Sequence, residues 1–416
     1  MKTLSKLVSA AGLLMVLGLT ALPAEVVSAK EQRPPPETRK VEAMRKYAFE
    51  RLSKAQEAMG AEKPDEAIQI LNDMDPNKLN KFESASRDQA YGFAYANKED
   101  FKRAIQYFDK AIESGALAFN TEQAMLFNTA QLYIATENVK KGITMLEEWL
   151  RLAEEPTGTQ FMTIANAYVQ DERYDDALPL AEKAIATTTD PAENWINLLA
   201  SLYLEKKSYA KARPHLETLA TRYPKKEYWT RLAAVYGELG QDKKSLVALE
   251  LSYGQGLMTE DRDLVRLATL YLFNEIPYKA ALLLDEEMKK GRVEKSEKNL
   301  ELLGSAWLQA RELEKSVGPL SQAAGKAKDG KLWVRVAQVQ IELEDWKGAN
   351  QALAAALDKG DVEDVGNIHL LRGIALYNSG DPSAARQSFN RAMKFKDYTK
   401  AARQWIRVME SKSSAE

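Results

Sequence analysis

The side chains that could do acid–base or metal chemistry are few and scattered. The chain has two histidines, His215 and His369, and no cysteine. That excludes disulfides, thiolate zinc sites, cysteine nucleophiles and multi-histidine metal clusters. The two histidines fall several copies apart in the internal repeat described below, so a linear stack would keep them out of a common site. Carboxylate pairs such as Glu154-Glu155 and Glu286-Glu287 have no partner residue that would tune one of them as a general acid; they suit solvated helix faces. Gly254-Gln255-Gly256 lacks the Gly-x-x-x-x-Gly-Lys spacing that wraps a phosphate. The seven tryptophans recur at repeated positions, Trp195, Trp229 and Trp333 among them, a pattern of core packing rather than of a ligand cage. These residues point away from an enzyme and imply neither cofactor nor metal.

Charge narrows the partners. Lys plus Arg total 58 against 60 Asp plus Glu, a formal net charge of −2. Nucleic acid is disfavoured, because phosphate neutralisation needs a basic surface. The pairs Lys140-Lys141, Lys206-Lys207, Lys225-Lys226 and Lys243-Lys244 are expected at helix ends or loops, as solubilising and dipole-matching charge. At 416 residues, 45% of them apolar, the chain exceeds the ~250–300 residues at which single cores stop growing.

The first residues suggest export. Lys2 and Lys6 precede an uncharged apolar run from Leu7 to Leu22, and Val27-Ser28-Ala29 supplies a small-residue cleavage site before Lys30. This is the three-part pattern of a secretory signal over residues 1–29; an uncleaved anchor is the competing reading. With no cysteine, lipid attachment at the cleavage site is impossible. No later segment is long and apolar enough to span a bilayer. The expected mature chain is periplasmic. Residues 30–42, with Pro34-Pro35-Pro36, read as an extended linker.

From Ala43 a single unit recurs. A small residue is followed three places on by an aromatic, and nine further on by a second small residue. Ala130, Tyr133 and Gly142 make one set; Ala165, Tyr168 and Ala177 another; Ala268, Tyr271 and Ala280 a third. The second anchors run from Ala67 through Ala104, Ala212, Ser245, Ser316 and Ala349 to Ala385, about 33–38 residues apart. Two antiparallel helices and two short turns consume that length, and neither helix can bury its apolar face alone. The small residues let paired helices approach closely, and the Tyr is expected to fill the gap toward the next copy. Pro277 and Pro382 belong at the opening turn of a second helix, where a missing N–H costs nothing. Pro179 and Pro214 are tolerable only if their helices begin near Tyr174 and Tyr209. No boundary between globular domains is required.

These residues resemble the tetratricopeptide repeat family over roughly 43–395. The match is fullest at Trp229, Leu232, Ala233, Tyr236 and Ser245, and again at Gly373, Gly380, Ala385, Phe389 and Ala392. The resemblance implies an all-α helix-turn-helix solenoid, a right-handed superhelix of about ten repeats, with a C-terminal capping helix and tail over 396–416. Trp405, Ile406 and Met409 would lie on the buried face of that helix. In this family the first helices line a concave groove. The residues one place past each small residue, and one turn before it, would then face a partner. The two rows hold 18 residues with Glu301 as the one charge among them. The candidate peptide groove is Phe93, Phe127, Gln131, Met162, Asn166, Asn197, Ser201 and Thr230; the competing reading is that its apolar members simply pack on neighbouring helices. An uncharged groove suits an extended or helical peptide. The Lys–Asn clamp of chaperone-binding members is absent, since Met162, Asn197 and Thr230 occupy its lysine-type positions.

A narrower resemblance lies in Tyr223-Pro224-Lys225-Lys226-Glu227-Tyr228-Trp229, Ser252-Tyr253-Gly254-Gln255-Gly256, Glu147-Glu148-Trp149-Leu150 and Ala401-Ala402-Arg403-Gln404-Trp405. Together these resemble exported tetratricopeptide proteins associated with TonB–ExbB–ExbD systems. That likeness implies an accessory role in TonB-dependent outer-membrane transport, with TonB or a TonB-dependent receptor as protein partner. An adaptor in envelope or polysaccharide assembly is the alternative.

Overall fold

The computed structural model describes residues 41–413, so the signal-like residues 1–29 and nearly all of the Pro-rich linker lie outside the described residues. Within that range the chain forms 21 α-helices and two short 3-10 turns, Pro76–Lys78 and Lys396–Tyr398, with no strand among the described residues. It divides into two compact units, Met1–His215 and Leu216–Glu416.

In the first unit the helix pairs are α1 (Lys46–Gly60) with α2 (Pro64–Asn72), α3 (Lys81–Asn97) with α4 (Phe101–Glu113), and α5 (Phe119–Ala135) with α6 (Val139–Leu152). Then come α7 (Gly158–Gln170) with α8 (Tyr174–Ala186), and α9 (Glu193–Glu205) with α10 (Tyr209–Arg222), the helix in which the division falls. The small-residue anchors do what their size permits. Ala67, Ala104, Ala130, Ala165, Ala177 and Ala200 have no exposed surface. A Cβ placed on Gly92 would come within 2.3 Å of the Phe108 ring, so the α3–α4 contact tolerates no side chain there. Helices α8 and α10 begin at Tyr174 and Tyr209, the starts that Pro179 and Pro214 demand.

The second unit repeats the plan. Its pairs are α11 (Lys226–Glu238) with α12 (Asp242–Gly254), α13 (Asp261–Phe273) with α14 (Pro277–Lys289), and α15 (Glu297–Gln309) with α16 (Leu313–Lys326). They continue as α17 (Lys331–Glu342) with α18 (Trp346–Lys359) and α19 (Val365–Asn378) with α20 (Pro382–Ala392), ending in α21 (Thr399–Ser413). Ser245 stands where other pairs have alanine, and its hydroxyl donates to the Ala233 carbonyl at 2.8 Å, so its burial costs no unpaired donor. Helix α21 closes the end of this unit: Trp405 stacks on Phe389 at 6.0 Å, and Ile406 and Met409 pack on the same cluster. A terminal helix with one apolar face covers the last pair's open side.

First helices end in one recurring turn. The N–H three residues past the helix end bonds to the carbonyl of the aromatic, as in Asn138 to Tyr133 and Ile276 to Tyr271, both at 2.8 Å. That Schellman-type closure places one residue in the left-handed region. Glycine fills it at Gly240 and Gly380, but Glu99, Glu137, Glu172, Glu275 and Glu344 adopt it as well, with φ between 58° and 65°.

Two local expectations are corrected. The repeat tyrosines reach back to the preceding pair, not toward the next one: Tyr168 on α7 bonds to Glu147 on α6, and Tyr271 on α13 to Glu250 on α12. A buried phenol needs an acceptor, and the preceding second helix presents a carboxylate at that level. Three of the four lysine pairs are not matched to helix dipoles; Lys206 and Lys207, just past the C-terminal end of α9, are. Lys140 and Lys141 lie in the first turn of α6, Lys226 opens α11, and Lys243 and Lys244 lie in the first turn of α12, where the dipole opposes a cation. What holds them is local partners: Lys141 bonds to Asp109 at 3.1 Å, and Lys226 to Glu260 at 2.6 Å and Asp263 at 3.0 Å.

Candidate functional site

The candidate groove residues of the first unit sit one turn apart on successive first helices. Phe127 and Gln131 share α5, Met162 and Asn166 share α7, and Asn197 and Ser201 share α9, with Phe93 on α3. Thr230 lies on α11, in the second unit. Their environments differ. Met162 is 2% exposed and Asn197 6%, so both are held in the packing between helices. Phe93 meets Phe108 edge-on at 5.1 Å, and Phe127 lies 4.7 Å from Trp149. Each of these rings is half-buried against the second helix of its own pair. The Ser201 hydroxyl donates to the Asn197 carbonyl at 2.7 Å, and the Thr230 hydroxyl to the Lys226 carbonyl at 2.8 Å.

Gln131 and Asn166 behave differently. They occupy the same repeat position on α5 and α7, both are partly exposed, and neither amide has a hydrogen-bond partner among the described residues. Each amide offers two donors and an acceptor, the complement of an extended backbone. Of the candidate residues, these two present the most unspent polar capacity beside a partly apolar surface.

A second recurring arrangement went unnoticed in the sequence. A cation lies over the aromatic ring of most first helices, eight residues on. Arg103 is 4.6 Å from the Tyr95 ring centre, Lys141 4.3 Å from Tyr133, Lys279 5.6 Å from Tyr271 and Lys315 4.8 Å from Trp307. In the fourth pair Arg173 substitutes, 4.5 Å above Tyr168 and 3.1 Å from Glu147. The spacing of eight is a legible signal: it carries the chain from the last turn of one helix into the first turn of the next. Burial, reinforced by the Glu147 bond, pushes the Tyr168 phenol up to about 12. Tyr203, beside Glu182, is raised to about 12 for the same reasons. These tyrosines stay protonated and act as struts between pairs, not as acids.

His215 is equally structural in its contacts. It stacks on Tyr203 at 5.7 Å with 15° between the rings, and burial pushes its pKa down. The buried carboxylate Glu287 is spent within its own corner, accepting from Tyr253 at 2.8 Å, Lys290 at 2.9 Å and Arg292 at 2.7 Å. No group of three or more His, Asp or Glu placed to hold a metal occurs among the described residues.

Comparison with known proteins agrees with the repeat geometry. Sequence patterns described as tetratricopeptide repeat match residues 89–114, 168–235 and 337–397. No curated protein matches the chain. Among solved structures, MamA from Desulfovibrio magneticus is similar at 19% identity over 43% of this chain and 96% of its own, with a TM-score of 0.36. YrrB, a tetratricopeptide protein with an unusual peptide-binding site, is similar at 18% over 41% of this chain and 85% of its own, at 0.35. A tetratricopeptide repeat protein from Parabacteroides merdae is similar at 12% over 61% of this chain and 98% of its own, at 0.33. Three segments of the chain thus match tetratricopeptide repeats, and the described residues form ten helix pairs of one helix-turn-helix plan.

Proposed function

We propose that the chain is an exported, non-enzymatic scaffold that holds a peptide segment of a partner on the first helices of its first unit. The observation carrying this reading is the pair Gln131 and Asn166, aligned on α5 and α7 with partly exposed amides that have no hydrogen-bond partner among the described residues. The half-buried faces of Phe93 and Phe127 supply apolar contact nearby in the row. A partner strand or helix would satisfy the amides and cover those rings.

The scaffold works in the periplasm, as an accessory component of a TonB-dependent outer-membrane transport system. The signal-like residues 1–29 support export, and no helix among the described residues is long and apolar enough to cross a membrane. The Tyr223–Trp229 and Ser252–Gly256 segments support the TonB association through their resemblance to exported proteins of such systems. Sequencing of the mature N-terminus is expected to start at Lys30. A pull-down from periplasm is expected to enrich TonB or a TonB-dependent receptor over a control with the first-helix row scrambled. Equal recovery from both baits would overturn the association.

A further inference from the structure

We infer that the last helix pair carries an oxyanion-binding site, built from His369 and Arg372 on α19 and from Arg391 and Lys394 at the end of α20, for a carboxylate or phosphate group. The first observation is one of register. Four places before the small residue of the first helix, the fifth to ninth pairs have Ile196, Trp229, Leu264, Leu300 and Trp333; the last pair has His369. One place before, the same five pairs have Leu199, Leu232, Leu267, Leu303 and Val336; the last pair has Arg372. Two positions that are apolar in five consecutive pairs become basic together.

The eighth pair shows what those positions border. Leu300, Leu303 and Gln322 line a cleft of about 380 Å³ between α14, α15 and α16. Gln322 stands six places past Ser316, as Arg391 stands six past Ala385. His369, Arg372 and Arg391 therefore occupy the three corresponding positions of the last pair. Lys394 completes the set. Gly373 packs against the Phe389 ring, so one turn back along α19 lies level with one turn on along antiparallel α20.

Charge makes the cluster unusual. Arg372 is half-buried and donates to Asn350 at 2.9 Å, while Arg391 and Lys394 form no ion pair among the described residues. His369 Nδ1 is buried with no hydrogen-bond partner among the described residues. Burial, then Arg391, Arg372 and Lys394, push the His369 pKa down; no carboxylate is among the charges acting on it. Elsewhere in the unit Lys226, Lys279 and Arg292 each meet an acid. Grouping cations around a partly buried arginine without a counter-charge is costly, and an oxyanion relieves that cost. Arginine offers it a planar fork, and the histidine ring a directed donor. The site is independent of the Gln131–Asn166 surface.

The test is the thermal midpoint of the purified chain at fixed ionic strength in sodium phosphate, sodium acetate or sodium chloride. A rise of about 2 °C or more over chloride is expected with at least one oxyanion. A rise with phosphate alone assigns a phosphoryl ligand; a rise with acetate assigns a carboxylate. Arg391→Gln with Lys394→Gln, both exposed positions, is expected to abolish the rise. Arg372→Leu, which restores the residue type of the five preceding pairs, is expected to abolish it too. No rise over chloride overturns the site. So does an equal rise in the Arg391→Gln/Lys394→Gln protein, which would mark general salt stabilisation.

Discussion

The Tyr271 hydroxyl donates a 2.7 Å hydrogen bond to the Glu250 carboxylate of the preceding helix pair. Lys279, eight residues beyond the tyrosine, reaches the same carboxylate at 2.8 Å and lies 5.6 Å from the ring centre. Acid, phenol and cation thus come from α12, α13 and α14, and one small network ties two pairs together. Tyr133 with Asp109 and Lys141 repeats it in the first unit. The helices' small residues set how closely each pair packs. The tyrosine network sets how one pair is joined to the next.

Replacing Tyr271 with Phe keeps the ring and removes the donor. Glu250 retains Lys279, so it is not stranded, and the expected loss is about 1 kcal/mol of stability. Urea unfolding of the two proteins under the same conditions measures it. An unchanged midpoint would show that the bond is exchanged for water at no cost.

The carboxylate-bonded buried tyrosines predict an alkaline limit. Burial first, then the bonded carboxylate, raises Tyr168, Tyr203 and Tyr253 from 10.0 to about 12. A folded-state pKa above the unfolded one gives stability that is complete below pH 10 and is lost as the pH rises through about 12. Tyrosine absorbance followed during alkaline titration should show these phenols ionising with unfolding, above the titration of exposed tyrosines.

Much of this fold is legible in the sequence, because the small–aromatic–small period has one structural solution. An alanine at Ala104, Ala177 or Ala385 is needed wherever two helices touch, and a gap of about 34 residues leaves room for two helices and no more. Directions are harder to read. A tyrosine fits the gap on either side of its pair, and only the acids at Glu147 and Glu250 decide that it turns back. The left-handed turn residue is obscured because glutamate holds it more often than glycine. In the candidate groove, periodicity picks out one face of each first helix but not its depth. It cannot separate buried Met162 from partly exposed Asn166 one turn away.

That turn offers a paired test. Glu275 has φ 60° where Gly240 has φ 67° in the preceding pair. Glu275→Gly relieves a side chain from the left-handed region and is expected to raise stability by about 0.5–1 kcal/mol. Gly240→Ala is expected to lower it by about 1 kcal/mol. Thermal unfolding of both variants checks the signs, and equal shifts would show that the turn is not strained.

Acid should loosen the start of the first unit. The Arg45 side chain, bonded to Glu83, and the backbone N–H groups of Asn80 and Arg45 hold the Glu83 carboxyl at about 2, against burial. A depressed folded-state pKa gives stability that is present above 4.5 and lost as the pH falls toward 2. Amide exchange in α1 and α3 is expected to accelerate over that window, and Glu83→Gln is expected to flatten the change.

Peptide capture by Gln131 and Asn166 is tested most directly by calorimetric titration of the purified chain with the periplasmic segment of TonB. Gln131→Glu with Asn166→Asp keeps the shapes of the two side chains and places charge in the row. Saturable binding is expected, weakened at least about tenfold in the double variant, a difference of about 1.4 kcal/mol. The thermal midpoint should be unchanged. Absence of saturable binding, or equal affinity for both proteins, would contradict the account.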